Sequence, residues 1–137
     1  MSTVDCLFCG IVAGDVPGEI VDSDEHTVAF MDINPATRGH ALVVPRTHSA
    51  DLMEIADEDL ERTMLAARRL AGRMDQALEA DGINVLNACR PAAWQTVFHF
   101  HLHVIPRYDD DPLKLPWIPG PGDPGEIAAV AERLRGG

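Results

Sequence analysis

At 137 residues, 46% hydrophobic and 24% charged, the chain is sized and composed for one folded domain with its own core. A formal net charge of −11 argues against gripping a nucleic-acid polymer, which depends on Lys and Arg set against phosphates. No apolar run reaches the length of a membrane span, and the N-terminus lacks the basic and apolar regions of a secretion signal, so no membrane partner and a cytoplasmic location are expected.

In chain order, Asp5 to Val12 carries Cys6-Leu7-Phe8-Cys9 and reads as a helical turn. Gly14-Asp15-Val16-Pro17-Gly18 closes this N-terminal segment, residues 1–18, as a turn. Glu19–Ser23 and His26–Met31 are short strand candidates. The turn-rich Asn34–Gly39 leads into a third strand, His40–Val44, ended by Pro45. Ser49 is expected to cap a short helix through Glu54. The clearest helix runs from about Glu58 to Ala80. Leu60, Met64, Ala67, Ala71, Met74 and Leu78 alternate at spacings of four and three, which marks one helix face. Asp57 is its expected N-cap and Gly82 its stop. Ile83–Asn87 and Phe98–Arg107 are the fourth and fifth strands. Pro112, Pro116, Pro119, Pro121 and Pro124 hold a segment, residues 112–125, extended over the surface, and Glu126–Arg135 forms a short final helix. One long helix among strands joined by short connections predicts an α+β domain with about five antiparallel strands.

Chemistry concentrates in His99-Phe100-His101-Leu102-His103, which holds three of the six histidines. Alternation at the strand period puts the imidazoles on one face and the apolar residues on the other. Imidazole serves as a metal ligand or as a nucleophile at neutral pH. Gln95 and Thr96 precede the row as neutral donors, and no carboxylate lies between Asn87 and Arg107, which favours phosphorus chemistry over a hydrolase with His99, His101 and His103 on one metal. Cys6 and Cys9 alone read as two reduced thiols, and Cys89 has no partner. An odd cysteine count without a secretion signal gives no disulfide framework. His26 and Asp109–Asp111 read as solvated, and Met64 and Met74 as core or dimer packing.

The stretch Trp94 to Arg107 resembles the signature of the histidine triad (HIT) family, three histidines alternating with apolar residues. Phe30-Met31-Asp32-Ile33-Asn34-Pro35, Gly39 to His48, and Cys6 to Pro17 resemble its nucleoside-binding segment, its following strand and its N-terminus, in the right order. The pattern is nearest the Hint-like and general bacterial branch. The resemblance implies a HIT-like fold, a homodimer, and hydrolysis of a purine nucleotide at its α-phosphorus through a nucleotidyl-histidine. Implied substrates are nucleoside phosphoramidates, adenylylated amines or dinucleoside polyphosphates. His101 would be the nucleophile, His103 would hold phosphate oxygens, and Gln95, Thr96 and His40 would support them. Asp32 would take the ribose hydroxyls, Phe8, Val16, Phe30 and Ile33 would wall the base, and Asn87 would contact phosphate or sugar. Metal-bearing members imply a structural zinc on Cys6, Cys9, His48 and His99, with no organic cofactor, and this requires the strand to begin, bend or bulge near His99. Trp94 stands where the family commonly has glycine, which bears on the leaving-group side of the site. A nucleotide-binding regulatory protein with little turnover is the alternative.

Overall fold

The computed structural model describes residues 5–136. The order is α1 (Leu7–Ala13), β1 (Ile20–Ser23), β2 (Thr27–Met31), β3 (Ala41–Pro45), α2 (Asp57–Ala77), β4 (Gly82–Leu86), β5 (Leu102–Arg107) and α3 (Pro124–Gly136). The strands form one sheet in the order β1-β2-β3-β5-β4, with every neighbouring pair antiparallel. The expected α+β architecture is therefore present. Residues 112–123 carry no regular structure, as the prolines dictate.

Strand alternation divides the core in two. Ala29, Ala41, Val43, Leu102 and Val104 join Phe100 in packing against Ala66, Ala67, Leu70 and Met74 of α2. Val28, Phe30, Leu42 and Val44 turn to the opposite face and pack against Phe8 and Ile11 of α1. β3 is buried along its whole length because both faces are covered. Full burial of a side chain such as Leu70 contributes about 1.5–3 kcal/mol.

The face that α2 buries is rotated from the expected one. Thr63 and Ala66 are buried, whereas Met64 is 48% exposed. Thr63 enters the core because its hydroxyl donates to the Asp59 carbonyl one turn back, at 2.6 Å. Ala56, not Asp57, occupies the N-cap. Asp57, Glu58 and Asp59 instead sit in the first turn, against the positive end of the helix dipole. The helix stops at Ala77 with Glu79 in a left-handed conformation (φ 53°), and Gly82 opens β4 instead of ending α2.

Residues 49–54 do not form the expected helix. Asp51 Oδ1 accepts from the Met53 and Glu54 N–H groups and makes a single turn. The Ser49 carbonyl is taken by the Phe100 N–H at 2.7 Å. That bond draws Phe100 away from the sheet, so β5 begins at Leu102 rather than Phe98. Gly39 (φ 98°) threads the chain past Leu78 into His40. A Cβ there would stand 2.5 Å from Leu78 Cδ1. Asp111 is not solvated as expected. Its side chain is 5% exposed and pairs with Arg107 at 2.8 Å, which pulls its pKa well below the usual carboxylate range.

Candidate active site and metal centre

A cleft of about 340 Å³ opens on the α1 side of the sheet, within the size range of small-molecule sites. Its apolar wall is Phe8, Ile11 and Val16 from the N-terminal segment with Phe30 and Leu42 from β2 and β3. Its polar side is Asp32, Thr96, His101 and His103. Of the residues expected to touch a nucleotide, Phe8, Val16, Phe30, Asp32, Ile33, Thr96, His101 and His103 all line it. Ile33 does so at the rim, 90% exposed. Leu42 and Val97 were not anticipated. Leu42 was legible in principle, since on a strand it shares the face of Val44.

Hydrogen bonds fix the imidazole tautomers one after another. The His99 carbonyl can only accept, so His101 carries its proton on Nδ1 (2.8 Å) and presents a bare Nε2. The Ala36 N–H can only donate, so His40 Nδ1 is bare and its proton is on Nε2. That proton faces His103 Nδ1 at 2.9 Å, with Asp32 Oδ2 at 3.5 Å. His103 is left with its proton on Nε2. The result is a nucleophilic nitrogen and a neutral N–H donor on neighbouring rings, whose centroids are 5.0 Å apart.

This chain of bonds needs neutral rings. Burial lowers the pKa of His40 and of His101, against the pull of Asp32 on both and of the His99 carbonyl on His101. Burial, then the neighbouring His101 and His40, lower His103 to about 4. Unfolding restores the usual value near 6.5. Between about 4 and 6.5 the unfolded chain therefore binds more protons at His103, so stability rises with pH across that window. Urea midpoints should increase from pH 4.5 to 7, and His103→Asn should flatten the rise. An equal slope in the variant would count against a neutral, half-buried His103.

The first histidine of the row turns elsewhere. The Pro45 carbonyl accepts from His99 Nε2–H at 2.8 Å, leaving Nδ1 bare. That Nδ1 lies 3.4 Å from Cys6 Sγ, 3.4 Å from Cys9 Sγ and 3.3 Å from His48 Nδ1. A tetrahedral thiolate–imidazole site sets neighbouring ligand atoms about 3.3–3.8 Å apart. Spacing, donor type and the His99 tautomer thus all fit a tetrahedral metal ion. Burial, then the adjacent Cys6, push the Cys9 thiol up to about 11, so metal binding there has to displace the Cys9 proton. The three histidines do not converge on one ion, as a catalytic metal held by His99, His101 and His103 would need. Asp32, His40 and His103 also approach one another, but the direct His40–His103 bond occupies that contact.

Two expected ligands are placed differently. Gln95 is 4% exposed and outside the cleft lining. Its Nε2 donates to the Ala50 and Val97 carbonyls, and its Oε1 accepts from the Arg90 N–H, so it braces the loop. Asn87 Nδ2 donates to the His101 carbonyl and steadies the nucleophile from behind, while its Oδ1 is buried without a partner. Trp94 is 69% exposed and adopts φ 78°, a glycine-like backbone geometry that strains an L-residue by about 1–2 kcal/mol. It is held there by Trp94 N–H to Pro91 carbonyl and Gln95 N–H to Arg90 carbonyl bonds.

The HIT domain family model matches residues 13–110. "Protein hit" of Bacillus subtilis (strain 168) is 43% identical over 104 residues, 76% of this chain and 72% of that protein. The crystal structure of a Zn-bound histidine triad family protein from Mycobacterium smegmatis superposes with a TM-score of 0.79 at 37% identity, covering 99% of this chain and 100% of the other. That of a histidine triad nucleotide-binding protein from Candida albicans gives 0.84 at 29% identity, covering 96% and 95%.

Proposed function

The chain belongs to the HIT domain family, and from that premise we propose that it hydrolyses purine nucleotides at the α-phosphorus through a nucleotidyl-His101 intermediate. The observation that carries this reading is the His101 Nδ1–H bond to the His99 carbonyl, which aims an unprotonated Nε2 into the cleft. His101 Nε2 attacks the α-phosphorus and the bond to the leaving group breaks, the leaving group taking a proton from solvent that the water of the second step later returns. Water then attacks the same phosphorus, the P–Nε2 bond breaks, and a nucleoside monophosphate departs. His103 Nε2–H and the Thr96 hydroxyl stabilise the phosphate oxygens as charge develops. Asp32 takes the ribose hydroxyls, and Phe8, Val16, Phe30 and Ile33 enclose the base. His40 and Gln95 act one step back, on His103 and on the Thr96 loop. Asn87 holds the His101 backbone rather than substrate.

Zinc is the metal we assign to Cys6, Cys9, His48 and His99, where it pins α1 to the segment before β5. The Zn-bound relative supports that choice. Met64, Leu65 and Val85 are exposed together beside the free edge of β4, which supports a homodimer paired along α2 and that edge.

Turnover of adenosine phosphoramidate, lysyl-adenylate and dinucleoside tri- and tetraphosphates, compared as kcat/KM, tests the reading and ranks leaving groups. Release of a monophosphate from at least one of them is expected. Binding of a monophosphate with no release from any would favour a regulatory binding protein instead.

A further inference from the structure

We propose that His99 is a positioning residue through which the metal centre sets the tautomer of the nucleophile. The residue has three moorings. Its Nδ1 belongs to the metal cluster, its Nε2–H is held by the Pro45 carbonyl, and its own carbonyl receives His101 Nδ1–H. The sheet does not hold it, because the β3–β5 ladder starts only at Val43 opposite Leu102. The nearest backbone anchor is the Phe100 N–H to Ser49 carbonyl bond, and Ser49 directly follows the ligand His48. Both segments of this junction, 48–49 and 99–100, therefore adjoin the cluster. Phe8 adds a second link. It lies between Cys6 and Cys9 in sequence, and its ring meets His101 edge-on with centroids 5.0 Å apart.

The consequence follows from donor chemistry. With a cation present, the bare Nδ1 of His99 has a partner and the ring cannot turn. Without one, that nitrogen keeps only the weak contacts of Cys6, Cys9 and His48, which hold it far less firmly than a metal bond. The 99–101 segment, which the β3–β5 ladder does not hold, can then shift and move the His99 carbonyl away from His101 Nδ1. An unpinned His101 can place its proton on Nε2, and the attacking lone pair is then covered.

This inference rests on His101 as nucleophile. Nitrogen-15 NMR of the imidazole rings in the full chain reads the tautomer without reference to activity. The zinc-loaded protein should show His101 protonated at Nδ1 alone. Removing zinc with a chelator, at a temperature where circular dichroism shows the fold intact, should mix the tautomers. In parallel, kcat for adenosine phosphoramidate should fall about 10- to 100-fold, the usual effect of losing an outer-shell orienting contact. Affinity for AMP should change far less. If the stripped protein unfolds, loading with the larger Cd2+ keeps the donors and the fold. It should shift the His101 ring signal and lower kcat. An unchanged His101 tautomer and kcat in the folded stripped protein, or an unchanged His101 ring signal and kcat in the Cd2+ protein, would overturn the proposal. Absence of turnover by the zinc-loaded protein would instead sink the hydrolase reading, with the tautomer measurement still deciding the coupling.

Discussion

Replacing His101 with alanine should reduce hydrolysis by at least about 10⁴-fold, as loss of a catalytic nucleophile does elsewhere, while nucleoside monophosphate affinity stays within a few-fold. The two effects separate because they rest on different residues. In the proposed complex the base and ribose lie against Phe8, Phe30 and Asp32, which sit on α1, on β2 and just past it, and none of them hydrogen-bonds the His101 backbone. Among the described cleft residues no other imidazole presents a bare nitrogen to the phosphorus. His103 presents a protonated nitrogen, and His40 is spent on His103. His101 is 4% exposed, so the variant also loses packing, and its fold should be checked by circular dichroism before rates are compared. Substantial turnover by a folded His101→Ala protein would remove the covalent mechanism.

Loss of the metal should be the largest single blow to stability. Chelation, or Cys6→Ser, is expected to lower the melting temperature by about 10–20 °C, corresponding to several kcal/mol in a domain of this size. Cys6 caps α1 through its sulfur, which accepts from the Cys9 N–H, and it is 4% exposed within the core on the α1 side of the sheet. Without the cation, two cysteines and two histidines are left crowded together with their ligand atoms joined only by weak sulfur and imidazole contacts. The core under α2 shares none of these four residues and should survive, so the stripped protein stays folded at low temperature. Cys89→Ser is the control, since Cys89 lies outside the cluster and its loss should leave the melt unchanged. A melting curve indifferent to chelator would show that the four residues hold no structural metal.

Much of this was legible in the sequence because it depends on period and order. The strand period put Leu102 and Val104 under α2 and His101 and His103 in the cleft. What escaped depends on contacts between distant segments. Nothing local to Gln95 shows that Ala50 and Arg90 claim its amide, so a residue typical of a phosphate ligand became a brace. Nothing local to Phe98 shows that Ser49 takes the Phe100 N–H and delays β5. The requirement that His99 leave the regular strand was readable only by asking how one row could serve two sites. Ser49 misled for a related reason, since a residue suited to helix capping was buried here and gave its carbonyl to the remote segment before β5. Thr63 shows the same limit in the helix, where a hydroxyl satisfied by Asp59 brought a polar residue into the core and shifted the buried face.

The most direct test of the central claim is to capture the intermediate. Rapid mixing with a slow phosphoramidate substrate, quenching under denaturing alkaline conditions that spare phosphorus–nitrogen bonds, and peptide mapping by mass spectrometry would locate any nucleotidyl group. A nucleoside monophosphate mass on the peptide carrying His101, absent from His101→Ala and appearing before product, is the expected result. Product formation at full rate with no adduct at any time, or an adduct on a different residue, would contradict it.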